Sequence, residues 1–258
     1  MNEIEAIFFD VDETLVCHAK GEVCASAREA LQKLSHRGIR RVVATGRHLS
    51  ELSTLPVADI VFDGYITLNG QLCYDANKEL TFGNAIEGAQ KQALVDLFQE
   101  KPFPIMLIEK DRMYINYIDE RVLEAQNAMS AWIPQVGCYE GGTVYQAVGF
   151  VSPDQKELLT RLLPGCHVTY WNTWAVDIVP GCAGKVSGIC RYLEENGIDR
   201  ANTMAFGDGE NDMDMLKFVK IGVAMGNGDD TVKAIADYVT EPIDQDGISR
   251  ALQHFGIL

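Results

Sequence analysis

Short apolar runs alternate with amphipathic stretches through about the first 75 residues of the chain. The run Ala6-Ile7-Phe8-Phe9 has no polar interruption, which is typical of a strand buried on both faces of a parallel sheet. A helix is predicted to begin at the capping-box pattern of Ser26 and Glu29 and to end at Gly38. Further apolar stretches predict strands at residues 39–44, 60–62 and 65–68.

The rhythm changes between residues 81 and 181, where strands are predicted in pairs between helices. Apolar periodicity predicts helices near residues 87–99, 120–129 and 153–163, and strands near residues 105–109, 113–117, 144–151, 168–171 and 175–179. Paired strands of this kind indicate an α+β segment with a mainly antiparallel sheet.

Residues 182–258 return to a strict alternation of helix and strand. The pattern predicts helices near residues 185–195, 211–217, 230–236 and 248–255, and strands at 203–206 and 221–224. The sequence therefore predicts an α/β protein. Its doubly wound, Rossmann-like parallel-sheet core is formed by residues 1–80 and 182–258, and an inserted α+β domain, residues 81–181, interrupts it.

Charge and composition narrow the possible partners. The formal net charge of the 258-residue chain is −15, which argues against a nucleic-acid partner or an anionic membrane surface, since both need a basic face. No apolar stretch approaches membrane-spanning length, and no signal peptide precedes the first strand. Seven cysteines without a C-x-x-C pair favour reduced thiols, so we expect a cytoplasmic protein. The oligomeric state stays open.

Polar residues follow several of the predicted strands at the point where each strand ends. Asp10 and Asp12 follow the first strand, Thr45 follows the second, and Asp208 follows the strand at 203–206. The carboxyl ends of parallel strands share one edge of a sheet, where open α/β sheets bind ligands, so these groups are expected to converge. Lys185, at the start of a predicted helix, would join them.

The acidic turn at residues 207–212 indicates a metal. A turn in which Asn211 caps the next helix explains the glycines but leaves Asp208, Glu210 and Asp212 unexplained. Clustered carboxylates repel one another unless a cation is present, and an oxygen-only ligand set suits Mg²⁺. A cation in a first helical turn opposes the helix dipole, so Lys185 indicates a bound anion, with a solvated lysine as the alternative.

Taken together, these motifs resemble the haloacid dehalogenase (HAD) superfamily of aspartate-nucleophile phosphatases, and most of all its Cof-type, subclass IIB, sugar-phosphatase branch. The resemblance covers the whole chain and rests on four motifs in order, with a cap-sized gap before the third: residues 10–15, residues 44–47, Lys185 and residues 207–212. Residues 68–70 and 223–227 also read like this branch. The resemblance implies that the insert is a cap of the C2B type.

One position departs from the pattern, because the family usually has Gly where this chain has Glu13. Glycine permits backbone angles that a side chain resists. Either this turn does not need those angles, or Glu13 adds a polar contact near the site.

The resemblance implies a role for each motif residue. Asp10 would attack phosphorus and form an aspartyl-phosphate, while Asp12 would serve as the proton donor and acceptor. Thr45 would donate a hydrogen bond to the phosphoryl group and Lys185 would neutralise its charge. The implied Mg²⁺ ligands are Asp10, the backbone carbonyl of Asp12, and Asp208, with Asp212 supporting the metal site or Lys185.

Further substrate contacts are implied at Gly46, Arg47, Asn69, Asn211 and Asp177. Arg47 would reach the substrate phosphate or only anchor its loop, and Asn69 with Gly70 would equally suit a tight turn. Asp177 would bind a sugar hydroxyl or be an ordinary aspartate at a strand end.

The predicted function is hydrolysis of small phosphorylated metabolites, in particular sugar phosphates, with Mg²⁺ as cofactor. A phosphomutase or phosphotransferase that uses the same intermediate is the alternative. A non-catalytic phospho-ligand sensor is disfavoured, because all four motifs are complete.

Overall fold

The computed structural model describes residues 4–128, 132–181 and 184–258. The chain divides into two compact units. The core unit comprises Met1–Phe82 and Gly184–Leu258, and the inserted unit comprises Gly83–Ala183.

The core unit begins with strands and helices in alternation, followed by two further strands. In chain order these elements are β1 (Ala6–Phe9), α1 (Ala25–His36), β2 (Arg40–Ala44), α2 (Leu49–Leu52), β3 (Gly64–Thr67), β4 (Leu72–Asp75) and β5 (Leu80–Gly83).

The inserted unit contains helices separated by strands. Its elements are α3 (Gly88–Glu100), β6 (Ile105–Ile108), β7 (Met113–Ile115), α4 (Glu120–Ala128), β8 (Gln146–Phe150), α5 (Pro153–Leu162), β9 (Cys166–Asn172) and β10 (Ala175–Pro180).

The chain then returns to the core unit and to strict alternation. The remaining elements are α6 (Lys185–Asn196), β11 (Thr203–Gly207), α7 (Met213–Phe218), β12 (Ile221–Ala224), α8 (Asp230–Lys233), β13 (Tyr238–Val239) and α9 (Gly247–His254).

The core sheet has the order β13-β12-β11-β1-β2-β3-β4-β5. Every pair from β13 to β3 is parallel, and β4 pairs antiparallel with β3. The chain moves outward from β1 to β2 and β3 and later starts again on the other side of β1 with β11. The gap between β1 and β11 is therefore the topological switch point, where open α/β sheets bind ligands.

Helix α6 packs on the sheet through the hydrophobic core of the unit. Phe8 and Ile66, from the centre of the sheet, belong to the same buried cluster as Ile189 and Tyr192 of α6. The ring of Phe8 meets the ring of Tyr192 edge to face, with centroids 6.0 Å apart. This packing fixes the start of α6, where Lys185 lies, relative to the strand ends.

The inserted unit has a five-stranded antiparallel sheet of order β7-β6-β8-β10-β9. Ile105 and Leu107 of β6 share a buried cluster with Leu94 and Phe98 of α3 and with Leu159 of α5. Together the two units confirm the predicted fold class, a parallel-dominated α/β core with a separate α+β unit.

Two local expectations were wrong. Residues 60–62 form turn and coil, and the strand that follows begins at Gly64. Helix α1 begins at Ala25 with Cys24 as its N-cap, so Ser26 makes no capping box. The helix predicted near residues 211–217 is present, as a 3-10 turn, Glu210–Asp212, that continues into the α-helix Met213–Phe218. No helix in the described part of the chain is long and apolar enough to cross a membrane.

Candidate active site

The predicted site residues of the core unit lie at the carboxyl edge of its sheet. Asp10 follows β1, Thr45 follows β2, Asn69 follows β3 and Asp208 follows β11. The backbone N–H of Asp10 donates to Phe206 of β11 across the switch point, at 3.0 Å. The predicted convergence of strand ends therefore brings these groups together.

A buried ion cluster forms the centre of the site. The Nζ atom of Lys185 lies 2.5 Å from Oδ1 of Asp10 and 2.6 Å from Oδ1 of Asp212, and all three side chains are at least nine-tenths buried. Lys185 lies in the first turn of α6. The residue before it, Gly184, packs closely against Gly70, since a Cβ on Gly70 would lie 2.3 Å from the carbonyl oxygen of Gly184. The lysine thus bridges a strand end and the acidic turn.

Burial and charge act against each other in this cluster. Burial raises the pKa of Asp10, while the ammonium of Lys185 pulls that pKa down and Asp212 raises it further. For Lys185, burial lowers the pKa, but the charges of Asp10 and Asp212 outweigh burial and raise it above its usual value. The ammonium is therefore held in its charged form beside the carboxylates.

Asp208 and Asp212 complete the acidic part of the site. Thr14 donates from Oγ1 to Oδ1 of Asp208 at 2.8 Å. Oδ2 of Asp212 accepts from the backbone N–H groups of Asp208 and Gly209, at 3.0 and 3.1 Å, so both oxygens of Asp212 are engaged. Burial raises the pKa of Asp208 to about 6, and the hydrogen bond from Thr14 opposes the rise.

This group of carboxylates suits a divalent cation. One oxygen from each of Asp10, Asp208 and Asp212 lies within 4.8 Å of the others. An all-oxygen set of this size fits a hard cation such as Mg²⁺, which keeps some of its waters. Two of these carboxyls have pKa values raised by burial, and a cation between them would favour their ionised forms.

Asp12 lies outside the buried cluster and is held by the side chains of Arg47 and His18. Arg47 donates from Nε to Oδ2 at 2.8 Å and from Nη2 to Oδ1 at 2.8 Å, and Nε2 of His18 lies 2.7 Å from Oδ1. Burial raises the pKa of Asp12, but the hydrogen bonds and charges of Arg47 and His18 outweigh burial and lower it. In this structure Arg47 therefore contacts Asp12, which was not among the roles expected for it.

The loop after Asp12 holds Glu13 in a backbone conformation that favours glycine. Glu13 has φ = 54°, in the left-handed region, and it is anchored on three sides. Its N–H donates to the carbonyl of Val16 at 2.9 Å, its carbonyl accepts from Asn227 at 2.8 Å, and its Oε1 accepts from the N–H of His18 at 3.1 Å. The turn does require the unusual angles, and Glu13 does add a polar contact.

Thr45, Gly46 and Asn69 form a second side of the site. Thr45 is buried, and its Oγ1 accepts from the N–H of Arg47 at 3.2 Å. A Cβ on Gly46 would lie 3.3 Å from the side chain of Asn69, which in turn accepts from Nδ2 of Asn211 at 3.2 Å. These five predicted residues are therefore linked through short contacts.

Asp177 lies in the inserted unit. It is half-buried in the middle of β10, where its cross-strand neighbours are Val148 of β8 and Thr169 of β9. It is therefore not at the end of a strand, as its alternative interpretation assumed.

Sequence reasoning missed three contacts of the site. It did not assign Thr14 to Asp208, His18 to Asp12, or Arg47 to Asp12. Thr14 lies within the first motif, so a polar residue at that position was an available signal. His18 lies in an irregular loop, where sequence periodicity gives no information about side-chain direction.

The fold and the site agree with the known family that the sequence matches. Residues 7–252 match the family model of haloacid dehalogenase-like hydrolases. The chain belongs to this family.

Relatives of known structure cover almost the whole chain. BT1666 of Bacteroides thetaiotaomicron, described among phosphatases of the superfamily, is 29% identical, with a TM-score of 0.89 and coverage of 99% of this chain and 96% of its own. BT4131, described as a HAD subclass IIB sugar phosphatase, is 33% identical, with a TM-score of 0.82 and coverage of 98% and 100%.

A curated relative agrees with this assignment. The Bacillus subtilis protein YkrA is 31% identical over 256 residues, which are 98% of each chain. The family match and the phosphatases among the relatives confirm that the chain is a hydrolase of this family and support phosphatase activity.

Proposed function

We propose that this protein is a Mg²⁺-dependent phosphatase that hydrolyses phosphate monoesters of small metabolites through an aspartyl-phosphate on Asp10. The observation that carries the proposal is the buried cluster at the switch point, where Asp10 contacts Lys185 at 2.5 Å and Asp12 follows two residues later. A carboxylate nucleophile beside a fixed cation, with a second carboxylate nearby, suits phosphoryl transfer.

Two carboxylates divide the chemistry between them. An oxygen of Asp10 attacks phosphorus, forming an O–P bond as the bond to the leaving alcohol breaks. Asp12 gives its proton to the departing oxygen in this step. Asp12 then takes a proton from the water that attacks the aspartyl-phosphate, which releases inorganic phosphate and restores Asp10.

The other residues of the site bind and orient the phosphoryl group. Lys185 offsets the charge of its oxygens from a position that burial keeps free of competing water. The hydroxyl of Thr45 and the backbone of Gly46 lie at the adjacent strand end and suit donation to the same oxygens. Asn69 and Asn211, joined by a hydrogen bond, suit polar contact with the substrate.

Mg²⁺ fits the carboxylate group as cofactor. Asp10 and Asp208 would supply oxygen ligands, with the backbone carbonyl of Asp12. Asp212 would support this set, because both of its oxygens are already engaged by Lys185 and by backbone amides. The bound ion would supply charge neutralisation and fix the orientation of the substrate phosphate.

The proposal includes a division of the chain into a core, residues 1–80 and 182–258, and a cap, residues 81–181. It also includes sugar phosphates as the substrate class. The description of BT4131 as a sugar phosphatase supports that substrate class. Asp177 would bind a sugar hydroxyl. Asp177→Asn would then raise KM for sugar phosphates and leave KM for an aryl phosphate unchanged.

Free thiols at Cys17, Cys24 and Cys73 suit a reducing compartment, and we keep the cytoplasm as the proposed location.

The deciding experiment compares the wild type with Asp10→Asn on p-nitrophenyl phosphate. We expect hydrolysis with Mg²⁺, loss of activity in EDTA, and loss in Asp10→Asn, whereas the exposed control Asp244→Asn stays active. Acid-quenched wild type should carry one phosphoryl group on the peptide that contains Asp10. Activity that survives EDTA would remove Mg²⁺ from the proposal, and a phosphoryl group on another residue would remove Asp10.

The phosphotransferase alternative predicts a different product. If an added sugar diverts the phosphoryl group from water, sugar phosphate will form at the expense of inorganic phosphate. We expect inorganic phosphate release to equal substrate consumed, with or without the acceptor.

A further inference from the structure

We infer that His18 is a positioning residue for Asp12, and that it selects which oxygen of Asp12 carries the transferred proton. The inference rests on the proposed function, because it assigns a partner to the proposed acid and base. It starts from one contact, the 2.7 Å approach of Nε2 of His18 to Oδ1 of Asp12.

The two oxygens of Asp12 have unequal surroundings. Oδ1 receives Nε2 of His18 at 2.7 Å, and from Arg47 both Nη2 at 2.8 Å and Nε at 3.0 Å. Oδ2 receives only Nε of Arg47, at 2.8 Å, among the described contacts. Oδ2 therefore has the spare lone pair, and it is the oxygen with room to hold a proton.

The hydrogen-bond chemistry is the same in both states of Asp12. An ionised carboxylate only accepts, so Nε2 of His18 must carry the hydrogen of this contact. When Oδ2 is protonated, Oδ1 still accepts from His18. The contact thus survives proton transfer and fixes the plane of the carboxyl group through both half-reactions, as a group acting twice requires.

The loop holds His18 through its backbone. The side chain of His18 is 46% exposed, so core packing does not orient it. Its N–H donates to Oε1 of Glu13, and the neighbouring Cys17 pairs with Glu22 in an isolated antiparallel bridge. Glu13 is itself fixed by Val16 and Asn227. The residue that departs from the family pattern therefore anchors the residue that contacts Asp12.

The test compares two substrates that differ in their need for a proton donor. Phenyl phosphate has a poor leaving group that needs protonation, whereas 2,4-dinitrophenyl phosphate has a good one that does not. We expect His18→Phe to lower kcat/KM for phenyl phosphate about tenfold or more, part of the roughly 10²–10⁴-fold that acid–base catalysis supplies. For 2,4-dinitrophenyl phosphate we expect a change of less than about twofold. The quantity kcat/KM reports steps up to leaving-group departure.

Matched variants separate positioning from structure. His18→Gln places an amide N–H near the position of Nε2 and should keep kcat/KM for phenyl phosphate within about threefold of the wild type. His36→Phe changes an exposed histidine at the end of α1 and should change neither substrate. The unfolding temperature of His18→Phe should equal that of the wild type, because the side chain is not packed in the core.

Asp12→Asn distinguishes failure of this inference from failure of the proposed function. It should reproduce the selective loss on phenyl phosphate, more strongly than His18→Phe. If Asp12→Asn is selective while His18→Phe lowers both substrates equally or neither, the inference is overturned and the proposed function stands. If Asp12→Asn itself is not selective, the role of Asp12 is wrong, and the inference falls with it.

Discussion

Replacing Lys185 by methionine should destabilise the core unit strongly. Methionine keeps the length of the side chain and removes its charge. The side chain of Lys185 is only 1% exposed, and its amino group contacts Asp10 and Asp212 at 2.5 and 2.6 Å. Without it, those carboxylates and Asp208 remain within 4.8 Å of one another, largely out of water and without a cation.

The size of the effect follows from burial. Removing one partner of a buried ion pair costs about 3–5 kcal/mol, because the remaining charge is left without compensation. The ion pair of Lys33 and Glu29 on α1 provides the contrast, since its side chains are 53% and 65% exposed. Exposed pairs contribute about 0–1 kcal/mol, so Lys33→Met in the same unit should have little effect.

The assay is equilibrium unfolding in urea with EDTA present, so that no divalent ion replaces the lost charge. We expect the midpoint to fall sharply for Lys185→Met and hardly at all for Lys33→Met, with unchanged slopes. The double variant Lys185→Met/Asp212→Asn should be more stable than the sum of the single changes predicts, because one uncompensated charge is gone. A loss below about 1 kcal/mol in Lys185→Met would refute the buried-charge reasoning.

Three other predictions concern the surroundings of the site. Gly188→Ala should lower the free energy of unfolding by about 1–3 kcal/mol in urea titrations, because its Cβ would lie 2.4 Å from Ile66; Glu195→Ala, exposed on the same helix, should change it little. Arg47→Lys should lower kcat/KM for phenyl phosphate more than for 2,4-dinitrophenyl phosphate, because lysine cannot make the two parallel hydrogen bonds to Asp12; an equal loss on both would contradict this. Glu13→Gly should leave the unfolding temperature nearly unchanged, because relief of the left-handed backbone offsets the lost hydrogen bond to His18. The same variant should lower kcat/KM for phenyl phosphate, because His18 is held less firmly. An unchanged kcat/KM would show that Glu13 does not anchor His18.

The parallel core could be predicted because its strands are buried on both faces. Strands β1 and β11 are entirely buried, and their sequences, AIFF and TMAFG, contain no charged residue and almost no polar one. The same criterion failed at residues 60–62. Phe62 there is buried, but Val61 is 69% exposed, so this apolar run does not correspond to a strand buried on both faces. Hydrophobicity identifies what is buried and leaves the backbone conformation open when the segment is short.

The motif residues of the site could be predicted because each follows a regular element. Asp10, Thr45 and Asp208 take their places from the ends of β1, β2 and β11, and Lys185 takes its place from the start of α6. The partners of Asp12 could not be predicted in this way. His18 reaches it through an irregular loop, and Arg47 reaches it from 35 residues away. Such contacts depend on side-chain directions, which sequence periodicity does not specify outside helices and strands.

The two groups of acidic residues in the site differ in how far their negative charge is compensated. Asp12 is balanced by Arg47, so its charge is compensated locally. Asp10, Asp208 and Asp212 carry three negative charges when ionised, and Lys185 supplies one positive charge, which leaves two negative charges in a largely buried space. A divalent cation would neutralise this remainder and allow a phosphate dianion to approach Asp10. In the proposed mechanism, Asp12 would transfer the proton, and the phosphate would bind beside the uncompensated cluster of Asp10, Asp208 and Asp212.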